Sequence, residues 1–172
     1  TAADPGLLGK VGEAVATVEG RIRGRRATSK LLDTMTFGAY NKPFKDEGEF
    51  AWLSRDRDEV RAYVDDPRCG EVFTAGFFAD MLGGVNRLSG LAARVPHDLP
   101  LLVVSGSDDP VGGKDGAGVR ALGEAFSAGG VRDVTTTLYP GARHELLNET
   151  NRDEVTADII GWLDEHLPTK GA

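Results

Sequence analysis

Cysteine is almost missing: Cys69 stands alone in 172 residues. One thiol cannot build an internal disulfide framework, so a reducing compartment, the cytoplasm, is expected. Long apolar runs are missing too. No stretch approaches the roughly 18–20 residues that span a bilayer, and no secretory leader is visible. At most, peripheral membrane contact is expected. Basic charge is in the minority, with 20 Lys and Arg against 27 Asp and Glu and a net charge of −7. No basic stripe offers itself to nucleic acid. The one basic cluster, Arg21, Arg23, Arg25 and Arg26, reads as a solvated helix end. Three scattered histidines and one cysteine make no zinc constellation. Gly112-Gly-Lys114 lacks the earlier glycine and the following Ser or Thr of a phosphate loop. No cofactor and no metal are therefore expected.

What is present divides in two. Residues 1–94 read as helical. Leu7, Leu8, Val11, Val15, Val18 and Ile22 recur at helix spacing, and Leu31, Leu32 and Met35 form a shorter stripe. Asn41-Lys-Pro-Phe44 reads as a loop. Asp56 and Glu59 have the offset of a capping box before Val60, Tyr63 and Val64, and Pro67 closes that helix. Thr74 can N-cap a third stripe of Phe77, Phe78, Met81, Leu82, Val85 and Leu88.

Residues 95–172 alternate strand and helix. Leu99 to Ser105 is an apolar run ended by Gly106, suited to a strand buried on both faces of a parallel sheet. Val119, Leu122 and Phe126 mark a helix, and Asp133 to Tyr139 is a β-branched strand stopped by Pro140-Gly141. Val155, Ile159, Trp162, Leu163 and Leu167 mark a closing helix capped by Thr150 or Asn151. Strand–helix–strand–helix implies an α/β architecture with parallel strands. Two strands are too few for such a sheet, so the remaining strands are expected in a segment ahead of Thr1. The lack of an initiator Met agrees with that expectation.

In open parallel sheets, functional groups sit on loops past the carboxyl ends of strands. One such loop is Ser105-Gly-Ser-Asp-Asp-Pro-Val-Gly112, and the other is Pro140-Gly-Ala-Arg-His-Glu145. Asp109 and His144 lie 35 residues apart, room for one helix and one strand. A carboxylate next to an imidazole fixes its tautomer and stabilises the imidazolium when the ring takes a proton. Each residue alone has a plainer reading: Asp before Pro is a turn former, and a histidine in a glycine-containing loop is often only polar. Asp108 competes for the acid role, although a cap or a solvent-facing place suits it better. His97 precedes its strand at the wrong end for this chemistry. His166 lies near a helix C-terminus, where a cation is favoured. Cys69 reads as structural.

The segments 105–112 and Leu138-Tyr-Pro-Gly-Ala-Arg-His-Glu-Leu-Leu-Asn-Glu149 resemble the last two motifs of serine hydrolases of the lysophospholipase and monoacylglycerol-lipase type. The first region resembles their cap in Tyr40-Asn-Lys-Pro-Phe44, Phe50-Ala-Trp-Leu-Ser-Arg-Asp56 and Asp66-Pro-Arg-Cys-Gly70. The resemblance covers nearly the whole chain. It implies the C-terminal part of an α/β-hydrolase fold, residues 95–172, preceded by a helical cap, residues 1–94. It also implies that Asp109 is the triad acid and His144 the base. Arg143, Glu145, Asn148 and Glu149 match the motif and read as residues that hold the His loop.

The departure from the family concerns the nucleophile. No serine, at 29, 54, 89, 105, 107 or 127, lies in a Gly-x-Ser-x-Gly elbow. The expected partner is therefore an N-terminal half carrying that elbow and the oxyanion-hole donors, and the first six residues resemble the segment just ahead of a cap. The expected activity is hydrolysis of lysophospholipid or monoacylglycerol esters, with this chain inactive by itself. A non-catalytic binding fragment is one alternative, and a peptidase or other esterase on the same fold is another. Phe44, Trp52, Phe77, Phe78 and Met81, together with Leu82, are candidates to line the acyl pocket, with core packing the competing role.

Overall fold

The computed structural model of the chain describes residues 6–88 and 90–167. Residues 1–5, matched above to the segment ahead of a cap, lie outside them, as does the side chain of Leu8. Helix α1 spans Gly6–Arg23, α2 Lys30–Thr36, α3 Arg57–Asp65 and α4 Ala75–Leu88. Strand β1 (Leu101–Gly106) follows, then α5 (Ala117–Ala128), β2 (Val134–Tyr139) and α6 (Arg152–His166). The strands pair in parallel, with Ser105 opposite Leu138 and Gly106 opposite Tyr139. That register brings both strand ends, and the loops that leave them, side by side. No helix among the described residues is long and apolar enough to cross a membrane.

Local signals explain most boundaries. Asp56 accepts N–H bonds from Asp58 and Glu59 and so starts α3. The box stays half closed, because Glu59 turns to Arg152 at 3.6 Å rather than back to Asp56. Asp66 is extended ahead of Pro67, as a pre-proline residue must be, and α3 stops. The Thr74 hydroxyl accepts from Phe77 N at 3.1 Å and starts α4. Asn151 takes the N-cap position of α6 but makes no capping bond, because its Oδ1 is occupied by Arg55 at 2.8 Å. The Asn41–Phe44 stretch is not plain loop: a 3-10 turn runs over Lys42–Glu47.

Helices α1 and α4 pack closely through small residues. The buried face of α1 carries Gly12, Ala16 and Gly20, and that of α4 carries Ala75, Gly76, Phe78 and Gly83. A Cβ on Gly12 would sit 3.1 Å from Leu82 Cδ1, so bulk there would push the helices apart. Of the apolar stripe of α1, Val15 packs against the Ala16, Leu32 and Phe78 core, but Val11, Val18 and Ile22 are exposed. Both strands are only half-buried along most of their length. This differs from the doubly covered β1 expected from its apolar run, because α5 and α6 cannot by themselves cover a sheet that ends at two strands. The small core of the second region is Tyr139, Ala142 and Val155 with Val104, Leu146 and Ile159 around them.

Candidate active site at the strand ends

The two loops beyond β1 and β2 are laced together before any side chain meets. Ser107 N donates to Tyr139 O at 3.0 Å, and Asp108 N donates to Ala142 O at 3.0 Å. Gly141 N donates to the Ser107 hydroxyl at 2.8 Å. Gly106 permits this approach: a Cβ there would lie 2.0 Å from the Ala142 carbonyl oxygen. Beneath the lacing, burial pushes the Tyr139 phenol up to about 12, with the Asp158 carboxylate adding to the shift. Tyr139 therefore stays protonated and donates to Asp158 at 3.1 Å, tying β2 to α6.

This frame brings Asp109 and His144 together. His144 Nδ1 stands 3.2 Å from Asp109 Oδ1 and 3.1 Å from Oδ2. Asp109 is buried, and its Oδ1 also accepts from Val111 N at 2.8 Å, which fixes the carboxylate plane. The Ser105 hydroxyl lies 3.5 Å from Oδ2. Asp108 is exposed and bonded to the Ser107 hydroxyl, away from the ring. His144 Nε2 has no partner among the described residues. His97 O accepts from Arg132 N ahead of β1, at the far end of the strands. His166 holds the Trp162 carbonyl and Asp133.

The loop at residues 51–56 supports the histidine from the helical side. His144 N donates to Trp52 O at 3.4 Å, and Glu145 N donates to Leu53 O at 2.8 Å. The Trp52 ring lies 4.9 Å from the imidazole and 5.1 Å from Tyr40. Buried Arg143 donates from Nη1 to Ala51 O at 2.7 Å and from Nη2 to Glu47 at 2.8 Å. Its guanidinium sits 4.0 Å above the Phe44 ring.

The pocket candidates separate. Trp52 lines a cleft of about 260 Å³ together with Phe37, Tyr63, Phe73 and His144. Phe78 is fully buried in a core with Ala16 and Leu32, with Met81 packed against it, so Phe78 has no free surface for a ligand. Phe77 is partly exposed and stacks on Phe73 at 4.1 Å. Phe44 is spent on Arg143. Spacing cannot tell a core-facing ring from a cleft-facing one on the same apolar stripe. Tyr40, which the sequence marks only through its motif, stands against the Trp52 ring. Burial and then the nearby Asp109 charge raise its phenol above the ordinary value.

A family model described as serine aminopeptidase, S33, matches residues 10–151. The chain belongs to this family. Members are serine hydrolases on the α/β-hydrolase fold. A monoacylglycerol lipase of Mycolicibacterium smegmatis is 34% identical over 119 residues, covering 67% of this chain and 39% of that protein. The structure of a thermostable carboxyl esterase from Bacillus coagulans, solved with glycerol, superposes at a TM-score of 0.82 and 23% identity, over 95% of this chain and 54% of that one. A Paleococcus ferrophilus monoacylglycerol lipase matches at 0.64 and 24%, over 90% and 52%. These structures share the α/β-hydrolase fold. The chain spans about half the length, or less, of the relatives it matches.

Proposed function

We propose that this chain supplies the acid and the base of a carboxylester hydrolase acting on lysophospholipid or monoacylglycerol esters. The carrying observation is the His144 Nδ1 contact with the buried Asp109 carboxylate at 3.1 Å, made by loops that leave adjacent parallel strands. In this reading the nucleophilic serine lies in a Gly-x-Ser-x-Gly elbow on a preceding segment. His144 Nε2 takes the serine proton as the hydroxyl attacks the ester carbonyl, then passes it to the departing alkoxide. Asp109 keeps the proton on Nδ1 and stabilises the imidazolium between those steps. Residues 1–94 act as the cap and residues 95–172 as the last part of the core. The cleft beside Trp52 receives part of the ester. The lone thiol fits a cytoplasmic setting.

The monoacylglycerol reading is supported by the name of the Mycolicibacterium relative, the lysophospholipid reading by the motif resemblance alone, and the family description gives a second reading, an aminopeptidase. The test uses the polypeptide that joins this chain to the serine-bearing segment. Monoacylglycerol, lysophosphatidylcholine, a short-chain nitrophenyl ester and an aminoacyl anilide are supplied in parallel. Ester turnover that drops about 10³-fold or more in His144→Ala supports the proposal, as expected when a triad member is lost. Wild-type turnover in that variant sinks the base assignment, and turnover of the anilide alone favours the peptidase.

A further inference from the structure

We infer that Glu149 is a positioning residue for His144: its carboxylate fastens the 51–56 loop to the His loop, so that the cap sets the place of the imidazole. The inference rests on the reading of His144 as the base. Glu149 is fully buried. Its Oε1 accepts from Arg143 N at 2.8 Å and Arg55 N at 3.1 Å. Its Oε2 accepts from Arg55 Nε at 2.7 Å and Thr150 N at 3.0 Å. Four donors, from two segments 94 residues apart in sequence, thus converge on one carboxylate.

The consequence falls on three successive amides. Arg143 N is held by Glu149, His144 N by Trp52 O and Glu145 N by Leu53 O. The last two acceptors belong to the loop that Glu149 itself holds through Arg55. Ser54 Oγ adds a bond to Asn148 O at 2.7 Å, and Arg143 Nη1 one to Ala51 O. Among the described residues, the N–H groups of Arg143, His144 and Glu145 are therefore held by Glu149 and the 51–56 loop alone, while the acid loop anchors the chain one step earlier, through Asp108 N to Ala142 O. If that loop shifts, the imidazole and the Trp52 ring beside it shift with it. A displacement of about 1 Å can cost about 10²-fold in rate.

A carboxylate is required rather than its amide. Gln in the same shape presents N–H groups to Arg55 Nε–H or to a main-chain N–H, donor against donor, so two donors lose their acceptor. Glu149→Gln is therefore a sharp substitution. In the joined polypeptide we expect kcat to fall about 10- to 100-fold with KM within about twofold, and the histidine limb of the pH profile to move. In the 172-residue chain we expect the low-field Nδ1–H proton resonance of His144 to broaden or shift. Arg55→Gln leaves three main-chain donors on Glu149 and should give an intermediate fall; it serves if Glu149→Gln does not fold. A variant that melts earlier but keeps kcat, pH limb and resonance at wild-type values reduces Glu149 to a structural role and overturns the inference. If His144→Ala retains activity, the base assignment fails instead, and the resonance alone decides whether Glu149 positions the ring.

Discussion

Gly106 is where the acid and base loops press closest, and its lack of a side chain is a requirement of the site. Any Cβ would meet the Ala142 carbonyl oxygen at 2.0 Å, against main chain that cannot rotate away. Gly106→Ala should therefore destabilise by about 3 kcal/mol and move Asp109 off His144; urea unfolding reads the first effect and ester turnover the second. Gly123 offers a contrast, because its Cβ would meet the rotatable Thr136 hydroxyl. Glu149 yields a pH prediction. Burial alone would raise its carboxyl, but the Arg55 side chain and three main-chain amides outweigh burial and hold it below its ordinary 4.5. A lowered folded value means that the unfolded chain takes up protons first as pH falls. The stabilisation is complete above about 4.5 and is lost as pH drops below it. Thermal melts from pH 7 to pH 3 should show this acid-side loss, and Glu149→Gln should flatten it while lowering the melting point throughout. Asp109 and His144 were readable from strand-end loops and motif. The motif also marks Glu149 as a residue that holds the His loop, but its bonds to the 51–56 loop leave no local pattern, because Arg55 is 94 positions away.

At the scale of elements, periodicity located helices but not their buried sides. The apolar stripe of α1 marked a helix correctly, yet the face packed on α4 is the Gly12, Ala16 and Gly20 side. A hydrophobic pattern assumes that bulk goes inward, and close helix contact through glycine inverts that assumption. Cap positions were legible at Thr74 and, as one of two candidates, at Asn151; what the sequence could not show is that a distant arginine claims the Asn151 oxygen, so that the capping bond is not made. Helix α6 is fastened at its end by His166, which stacks on Trp162 at 4.1 Å and reaches Asp133 Oδ2 at 3.0 Å. The Trp162 carbonyl first, and then Asp133 and Glu165, raise the imidazole above its ordinary 6.5. A raised folded value means the contribution is whole below 6.5 and fades as pH climbs through the folded value. Amide exchange in the last turn of α6, corrected for intrinsic rates, should be slower at pH 5.5 than at pH 8. Equal protection at both values, or the same difference in His166→Gln, would remove His166 as the fastening.

The whole molecule carries surfaces that its own elements do not cover. Both strands are half-exposed along most of their length, Val11, Val18, Ile22 and Leu31 stand in solvent, and His144 lines a cleft with no serine, threonine or cysteine among the described residues around it. Exposed apolar area of this kind is favourable to bury, at about 25 cal/mol per Å². Our proposal of a preceding, serine-bearing segment accounts for all three features together, since further parallel strands would extend the sheet beside β1 and bring the elbow to the strand ends. The expected outcome is complementation. The 172-residue chain by itself should hydrolyse no ester above background. Mixed or co-expressed with the serine-bearing segment, it should gain a turnover that Asp109→Asn and His144→Ala each abolish. On the same mixing, the β1 amides should become slower to exchange, since an edge strand would then have a neighbour. If the chain alone turns over an ester in a His144-dependent way, a nucleophile lies within it and the division of the triad is wrong. If the mixture gains activity without new protection in β1, the segment binds elsewhere, and the exposed sheet needs a different occupant.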